Sequence, residues 1–192
     1  MQWLWDDGDR PNGGRDGFMS PLAWILGLAL PAIGAEGAAG LPPPGLMDMT
    51  RIERPATPNT YLAGPADMRL IPNPAAPGPA VPDLVLEPEA TTAEAVFASA
   101  RAVFERQPRT YLAAVFPEHR QVHYVVRSAL MNYPDLVTVQ VDPVTGPVTG
   151  PAGQDRAMLT IWSRSVYGRR DFGVNKQRTD AWLAALRQTN QR

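Results

Sequence analysis

The sequence predicts an α+β domain in which a helix, a four-stranded and mostly antiparallel sheet and a C-terminal helix follow one another. Three observations predict this class: apolar residues recur at helical spacing over about 92–106, four segments with strand-like composition follow, and a second helical pattern covers about 175–188. The connections between the strand patterns are short, which favours a meander with both helices on one face of the sheet.

The first helix begins in the capping-box sequence Thr91-Thr92-Ala93-Glu94, where a threonine and a glutamate side chain satisfy free backbone N–H groups. Pro108 ends it, because proline cannot continue a helix. The run Leu84-Val85-Leu86 is a candidate short strand ahead of the helix. The apolar stripe consists of Ala93, Val96, Phe97, Ala100, Val103 and Phe104.

The four strand patterns cover Thr110–Phe116, Val122–Leu130, Leu136–Val141 and Arg156–Val166. The third alternates valine with threonine and glutamine, which is typical of a half-buried strand. The Pro- and Gly-rich stretch 142–153 separates the last two patterns and is predicted to be a hairpin loop.

The final helix is predicted to begin at Asn175, a residue type that favours helix N-caps. Trp182, Leu183 and Leu186 form its buried stripe. Gly168 and Gly173, in the loop before the helix, are predicted to adopt backbone conformations that other residues avoid. The result is a strand-to-helix corner over 163–178.

Composition excludes several classes of function. The 192 residues include no cysteine, which rules out disulfides, thiolate catalysis and Cys-ligated zinc or iron–sulfur sites. The formal net charge of -1 provides no overall field that would select nucleic acid or an acidic membrane as a partner. Phosphate-loop, dinucleotide-fingerprint, HExxH and GxSxG motifs are missing from the sequence. We therefore predict no cofactor, no metal site at His119 and His123, no nucleic-acid partner and no catalytic residue set.

The chain ahead of the domain falls into three segments by composition. Residues 1–17 form a polar tail, residues 18–35 contain no charge, and residues 36–83 are predicted to be an extended, Pro-rich linker ahead of an α+β domain at 84–192. Twelve prolines occur between Pro42 and Pro88. Such a stretch favours polyproline II and acts as a semi-rigid spacer.

The apolar segment 18–35 has three open interpretations. It is close to the roughly 20 apolar residues that span a bilayer, so it fits a single membrane anchor, although Pro31 weakens it. It also fits a signal peptide that starts at Met19, or a buried or interfacial apolar segment. The residues expected to contact a membrane or a protein partner are Trp3, Trp5, Trp24, Leu26 and Leu30.

Polar residues cluster near the ends of two strand patterns. Arg127-Ser128 and Arg164-Ser165 lie there, and an aspartate follows each pair. In a meander these groups meet at one edge of the sheet, either as an ion-pair network that pins the loops or as a site for a carboxylate or phosphate. The ligand-binding candidates are Arg127, Ser128, Asp135, Ser163, Arg164, Ser165, Asp171, Asn175 and Arg178.

Three motifs carry a family resemblance: Ser163-Arg164-Ser165-x-x-Gly168-x-x-Asp171-x-Gly173-Val174-Asn175-x-x-Arg178 with Trp182-Leu183-x-x-Leu186 after it, Arg127-Ser128-Ala129-Leu130-Met131-x-Tyr133-Pro134-Asp135, and Pro58-Asn59-Thr60-Tyr61-Leu62. Along the chain they follow one another in the order Pro58, Arg127 and Ser163, and in that order they resemble the bacterial domain of unknown function 1499 family, over about 55–186. The family has no established activity, and its members often carry an N-terminal hydrophobic segment. The polar tail and the long Pro-rich linker depart from its pattern.

The expected function is a non-enzymatic domain at the bacterial inner membrane, held by its single N-terminal segment, or in the periplasm. It would serve as an accessory or binding subunit of a larger membrane or envelope assembly, with a protein partner in or at the membrane. The alternative is a small anionic-ligand-binding protein or a hydrolase-like enzyme with its site at the corner 163–178.

Overall fold

The computed structural model of the protein describes residues 33–76, 78–144 and 155–190. The polar tail, most of the apolar segment and most of the 142–153 loop lie outside the described residues. The predicted contact residues Trp3, Trp5, Trp24, Leu26 and Leu30 lie outside them as well. None of the helices within the described ranges combines the length and the hydrophobicity that a bilayer span requires.

The described residues form one six-stranded sheet and two helices. In chain order these elements are β1 (Thr60–Gly64), β2 (Leu84–Val85), α1 (Ala93–Phe104), β3 (Thr110–Phe116), β4 (Gln121–Arg127), β5 (Pro134–Pro143), β6 (Ala157–Ser165) and α2 (Val174–Asn190). A single 3₁₀ turn, Pro117–His119, joins β3 to β4.

The sheet has the order β2-β1-β6-β5-β4-β3. The meander β3 to β6 is antiparallel and β1 also pairs antiparallel with β6, whereas β1 and β2 are parallel, so the sheet is mixed. The α+β class and the C-terminal helix are confirmed, but the predicted count of four strands is wrong. The two-residue β2 matches the candidate short strand Leu84-Val85-Leu86, which the count of four left out. β1 was not predicted, because it lies between Pro58 and Pro65 in the segment assigned to the linker and shows no strand pattern of its own.

Both helices cover one face of the sheet. Their apolar stripes meet the inward residues of β4, β5 and β6 in the main core. Trp182 of α2 stacks on Phe104 of α1 at 4.7 Å between ring centroids and meets Tyr124 of β4 edge-on at 5.7 Å. Aromatic pairs of this geometry stabilise a core beyond the area they bury.

The other face of the sheet is covered by irregular chain. Met49, Ile52 and Leu70 form a second apolar cluster with Leu62 of β1, and Trp162 of β6 packs against it. The Pro-rich segment is therefore packed on the sheet over these residues, because burying their side chains removes apolar surface from water.

The start of α1 differs from the predicted capping box. Thr92, in an extended conformation, is the N-cap, and its hydroxyl accepts the N–H of Ala95 at 3.2 Å. Glu94 instead pairs with Arg120 at 3.1 Å. The cap lies one residue later than the capping-box pattern indicates, since Thr92 is the threonine whose hydroxyl reaches a free N–H of the first turn.

Gln121 binds the irregular chain to the sheet, and His123 holds the Gln121 side chain in place. Its ring nitrogens lie 3.0 Å from Thr138 Oγ1 and 2.9 Å from Gln121 Oε1. Gln121 in turn accepts the backbone N–H of Met47 and donates to the Met47 carbonyl, both at 2.7 Å. Burial, with a smaller contribution from the charge of Arg164, lowers the pKa of His123 to about 4. The imidazole is therefore neutral at pH 7.

We expect stability to fall as pH drops below the ordinary histidine range. The unfolded chain binds a proton at His123 near pH 6.5 and the folded chain only near pH 4, so the folded state loses stability in between. From pH 7 to pH 5 the loss is about 2 kcal/mol. Urea unfolding at pH 7 and pH 5 gives the free energy of unfolding that the wild type and His123→Gln each lose between the two pH values. The wild type should lose more, and equal losses would contradict the lowered pKa of His123.

Candidate functional site

The corner between β6 and α2 is shaped by two glycines. Gly168 and Gly173 have φ values of 87° and 80°, in the left-handed region that side chains disfavour. The amide of Asn59, just before β1, donates to the Gly168 carbonyl at 2.9 Å. The loop 166–173 is thus held against the chain that enters β1.

Asp171 caps α2. Its carboxylate accepts the N–H of Gly173 at 3.1 Å and the N–H of Asn175 at 3.0 Å. The side chain that caps the helix is therefore that of Asp171, and not that of Asn175 as predicted. α2 begins at Val174. An acidic side chain suits this position, since the N-terminus of a helix carries partial positive charge.

Asn175 is fully buried and donates to three acceptors. Its Nδ2 lies 2.8 Å from the Asn59 carbonyl, 2.8 Å from Asp171 Oδ2 and 3.1 Å from Ser165 Oγ. The first contact joins α2 to the residue before β1, and the third joins it to the end of β6. One side chain thus ties three parts of the chain together.

Arg178 completes this network one turn later. It donates to Asn175 Oδ1 and Ser163 Oγ, both at 2.8 Å, and forms an ion pair with Asp135 of β5 at 2.5 Å. Ser163 donates its own proton to Asn175 Oδ1 at 2.6 Å. The side chains of Arg178 and Asp135 are each only 8% exposed. We name the network formed by Asn59, Asp135, Ser163, Ser165, Asp171, Asn175 and Arg178 the corner network.

Arg164 lies on the opposite face of the sheet from this network. Successive residues of a strand point to opposite faces, so Arg164 points away from its neighbours Ser163 and Ser165. Its guanidinium lies 4.2 Å from the ring centroid of Trp162 and 3.8 Å from Met47 Sδ. Within the described ranges no carboxylate forms a salt bridge with it, and burial lowers its pKa to about 10.

Arg127 also lies apart from the corner network. It donates to the carbonyls of Gly37 at 2.9 Å, Ala39 at 2.6 Å and Asn132 at 3.2 Å. Burial lowers the pKa of Arg127. Ser128, next in the chain, accepts the N–H of Tyr133 at 2.9 Å and closes the loop 128–133.

Asn132 also binds the chain at residues 33–39, which we name the entering chain because it leads from the apolar segment into the domain. Its amide donates to the carbonyls of Ile33 at 2.6 Å and Ala35 at 3.0 Å. Together with Arg127, it holds residues 33–39 at the end of the sheet where β4 stops and β5 starts. The sequence patterns do not single out Asn132 or the role of Arg127 as an anchor for carbonyls.

The structure thus divides the predicted site residues into two groups. Six of them join the corner network: Asp135, Ser163, Ser165, Asp171, Asn175 and Arg178. Arg127, Ser128 and Arg164 do not. Asn59 is a member that was not among the candidates, although it belongs to the motif Pro58-Asn59-Thr60-Tyr61-Leu62, which was a signal that could have found it.

The chemistry available at the corner is that of a structural network. The Ser163 hydroxyl donates to an amide oxygen and accepts from a guanidinium, so in the described chain it contacts no histidine that could act as a base. Asp135 is held by Arg178, and the Asp171 carboxylate is held by two backbone N–H groups. These contacts favour the ion-pair interpretation over the ligand interpretation.

No curated protein and no solved structure matches the chain. The family model described as Protein of unknown function (DUF1499) matches residues 53–186. This match begins before β1 and ends inside α2, so it includes the whole sheet and every member of the corner network. It covers more than half of the chain, and the protein therefore belongs to the DUF1499 family of proteins of unknown function.

Proposed function

We propose that the protein is a non-enzymatic binding domain, tethered at a membrane through its apolar segment 18–35, and that it acts as an accessory subunit of a membrane or envelope assembly. The observation that supports this proposal most directly is that hydrogen bonds hold residues 33–39 against the sheet. Asn132 and Arg127 hold four backbone carbonyls of this stretch, at Ile33, Ala35, Gly37 and Ala39. The chain that follows the apolar segment is thus bound to the sheet.

This fastening supports a tether in a specific way. Hydrogen bonds to charged donors are stronger than neutral ones, and two of the four carbonyls accept from a guanidinium. A domain fixed this close to an apolar segment keeps a defined face toward whatever binds that segment. The corner network adds support for a non-enzymatic role, since its polar groups are engaged with one another.

The tether predicts that charges in the apolar segment will release the protein from membranes. Leu26→Arg combined with Leu30→Arg should move most of the full-length chain from the membrane fraction to the soluble fraction of bacterial cells. Each arginine at the centre of a spanning segment costs about 2.5–3.5 kcal/mol on an insertion scale. The measurement is fractionation followed by alkaline extraction, with immunoblotting of both fractions.

The matched control is Leu46→Arg, because Leu46 is an exposed leucine outside the segment. It should fractionate like the wild type. A wild-type chain in the soluble fraction, or a double variant that stays with membranes, would count against the tether. Affinity capture of the full-length chain from native membranes then tests the accessory role, and recovery of the chain without any stoichiometric partner would count against that role.

A further inference from the structure

The most exposed apolar side chains of the described residues share one end of the sheet. Leu130 is 92% exposed and Phe172 is 89% exposed, while Met131, on the same loop as Leu130, is 52% exposed. Leu130 lies in the loop from β4 to β5, and Phe172 lies in the loop from β6 to α2. We name the surface formed by the loops 128–133 and 166–173 the loop end.

Strand register places these two loops side by side. Arg127 of β4 pairs with Pro134 of β5, and Asp135 pairs with Ser165 of β6, so both loops leave the sheet at the same end of its strands. Neighbouring strands lie about 4.8 Å apart. The N–H of Val166 also donates to the Pro134 carbonyl at 3.3 Å. The exposed apolar residues therefore form one surface on adjacent loops.

Phe172 is held outward by its backbone. Its φ of 52° lies in the left-handed region, which a bulky residue seldom adopts. On one side the Asp171 carboxylate fixes the cap of α2, and on the other side Gly173 continues with positive φ. Such a conformation persists only where the surroundings impose it, and it often accompanies function.

Positive charge accompanies the apolar residues at this end. Arg169 and Arg170 are exposed on the loop of Phe172, and neither forms a salt bridge with a described residue. Arg106 and Arg109 lie exposed in the connection from α1 to β3, which reaches the same end of the sheet. Two exposed carboxylates lie there as well, Glu36 beside the bound Ala35 and Glu105, which pairs with Arg101, so the arginines outnumber them. The opposite end carries carboxylates together with three arginines, namely Asp48, Glu87, Glu89, Glu94, Glu118, Asp142 and Asp155 with Arg120, Arg156 and Arg187.

The entering chain reaches the domain at the loop end as well. Asn132, which binds the carbonyls of Ile33 and Ala35, lies in the same loop as Leu130 and Met131. Apolar side chains with arginines beside them suit the boundary between lipid headgroups and acyl chains, where the arginines meet anionic phosphates. The neighbouring apolar segment would bring this surface to the bilayer.

We infer that the loop end rests on an anionic lipid bilayer, with Leu130, Met131 and Phe172 inserted among the headgroups and Arg169 and Arg170 against lipid phosphates. This inference rests on the proposed membrane tether, and it fixes the orientation of the domain on the membrane. The acidic end of the sheet then points away from the bilayer, since like charges repel it from anionic lipid.

The test uses the absence of cysteine from the chain. Full-length Leu130→Cys, Phe172→Cys and, as a control on the acidic end, Glu118→Cys are each labelled with an environment-sensitive fluorophore. They are mixed with vesicles of phosphatidylcholine and phosphatidylglycerol in equal amounts, or of phosphatidylcholine alone. With the anionic vesicles we expect blue-shifted emission and quenching by nitroxide-labelled lipid at positions 130 and 172, and neither effect at 118.

Neutralising the arginines should weaken this contact. Arg169→Gln with Arg170→Gln in the Phe172→Cys chain should lower the equilibrium constant between the lipid-shielded and the water-exposed probe at position 172, by about fivefold for each arginine, and so reduce the shielded fraction. Arg187→Gln, at the other end of α2, is the matched control and should leave that fraction unchanged. Circular dichroism of every labelled chain establishes that it is folded.

The outcomes separate this inference from the proposed tether. If the chain floats with vesicles while probes 130 and 172 report water, the lipid contact is overturned and the tether stands. If the chain does not float at all, the tether fails and this inference fails with it. Shielding of 130 and 172 in native membranes but not on pure lipid vesicles overturns the lipid contact in favour of a protein partner.

Discussion

Replacing Asp135 with alanine should lower the free energy of unfolding by about 3–5 kcal/mol, because it leaves the Arg178 guanidinium buried without its counter-ion. The two side chains form an ion pair at 2.5 Å, and both are 8% exposed. Arg178 would keep its bonds to Ser163 and Asn175, which are neutral acceptors and do not balance its charge. Urea unfolding, followed by tryptophan fluorescence at constant pH, measures the change.

Asp180→Ala provides a matched control on the same helix. Asp180 pairs with Lys176 at the same N–O distance of 2.5 Å, but this pair is exposed. Its loss should cost far less than the loss of the buried pair, because water screens the charges of an exposed pair. The double variant Asp135→Leu with Arg178→Met should recover much of the stability lost in Asp135→Ala, since it removes both charges. A loss in Asp135→Ala no larger than that of Asp180→Ala would contradict the buried pair.

The meander and the helices were predictable because their patterns are local. Alternation in β5 and the apolar stripes of α1 and α2 identify each element and its buried face. β1 was missed because five residues between prolines show neither alternation nor an apolar run. Its place in the sheet is decided by distant partners, such as the pairing of Tyr61 with Ser163.

Six site residues were predicted to meet, and they do so in the corner network. Arg127 and Arg164 were grouped with them because both stand at strand ends beside serines. Arg164 alternates with Ser163 and Ser165 along β6, and that alternation sends it to the other face. The hydrogen bonds of Arg127 to Gly37 and Ala39 span about 90 residues of sequence, and no local pattern indicates a contact of that range.

The corner network also explains how three separate sequence motifs relate to each other. The first supplies Asn59, the second supplies Asp135, and the third supplies Ser163, Asn175 and Arg178. The side chains meet where β1, β5, β6 and α2 come together. The three motifs thus supply, in large part, the contacts that lock a strand from the Pro-rich segment to the meander and to the last helix.

Replacing Asn175 with alanine should lower the free energy of unfolding by about 3–4 kcal/mol. The change leaves the buried Ser163 hydroxyl without its acceptor and removes two hydrogen bonds to charged groups, those with Arg178 and Asp171, and each of these losses costs about 1–3 kcal/mol. The Asn59 carbonyl keeps the N–H of Ser165 at 3.0 Å. The change also breaks the contact that ties α2 to the start of β1. Urea unfolding gives the free energy, and hydrogen exchange of residues 60–64 reports how firmly β1 is held.

The control for this change is Gln177→Ala, because Gln177 is exposed on the first turns of the same helix. Surface substitutions of this kind change stability by less than about 0.5 kcal/mol. Exchange in β1 should accelerate in Asn175→Ala by more than exchange in β3, since β3 lies at the far edge of the sheet and has no contact with the network. Equal acceleration in both strands would show that Asn175 supports the whole fold, and that it has no particular part in locking β1.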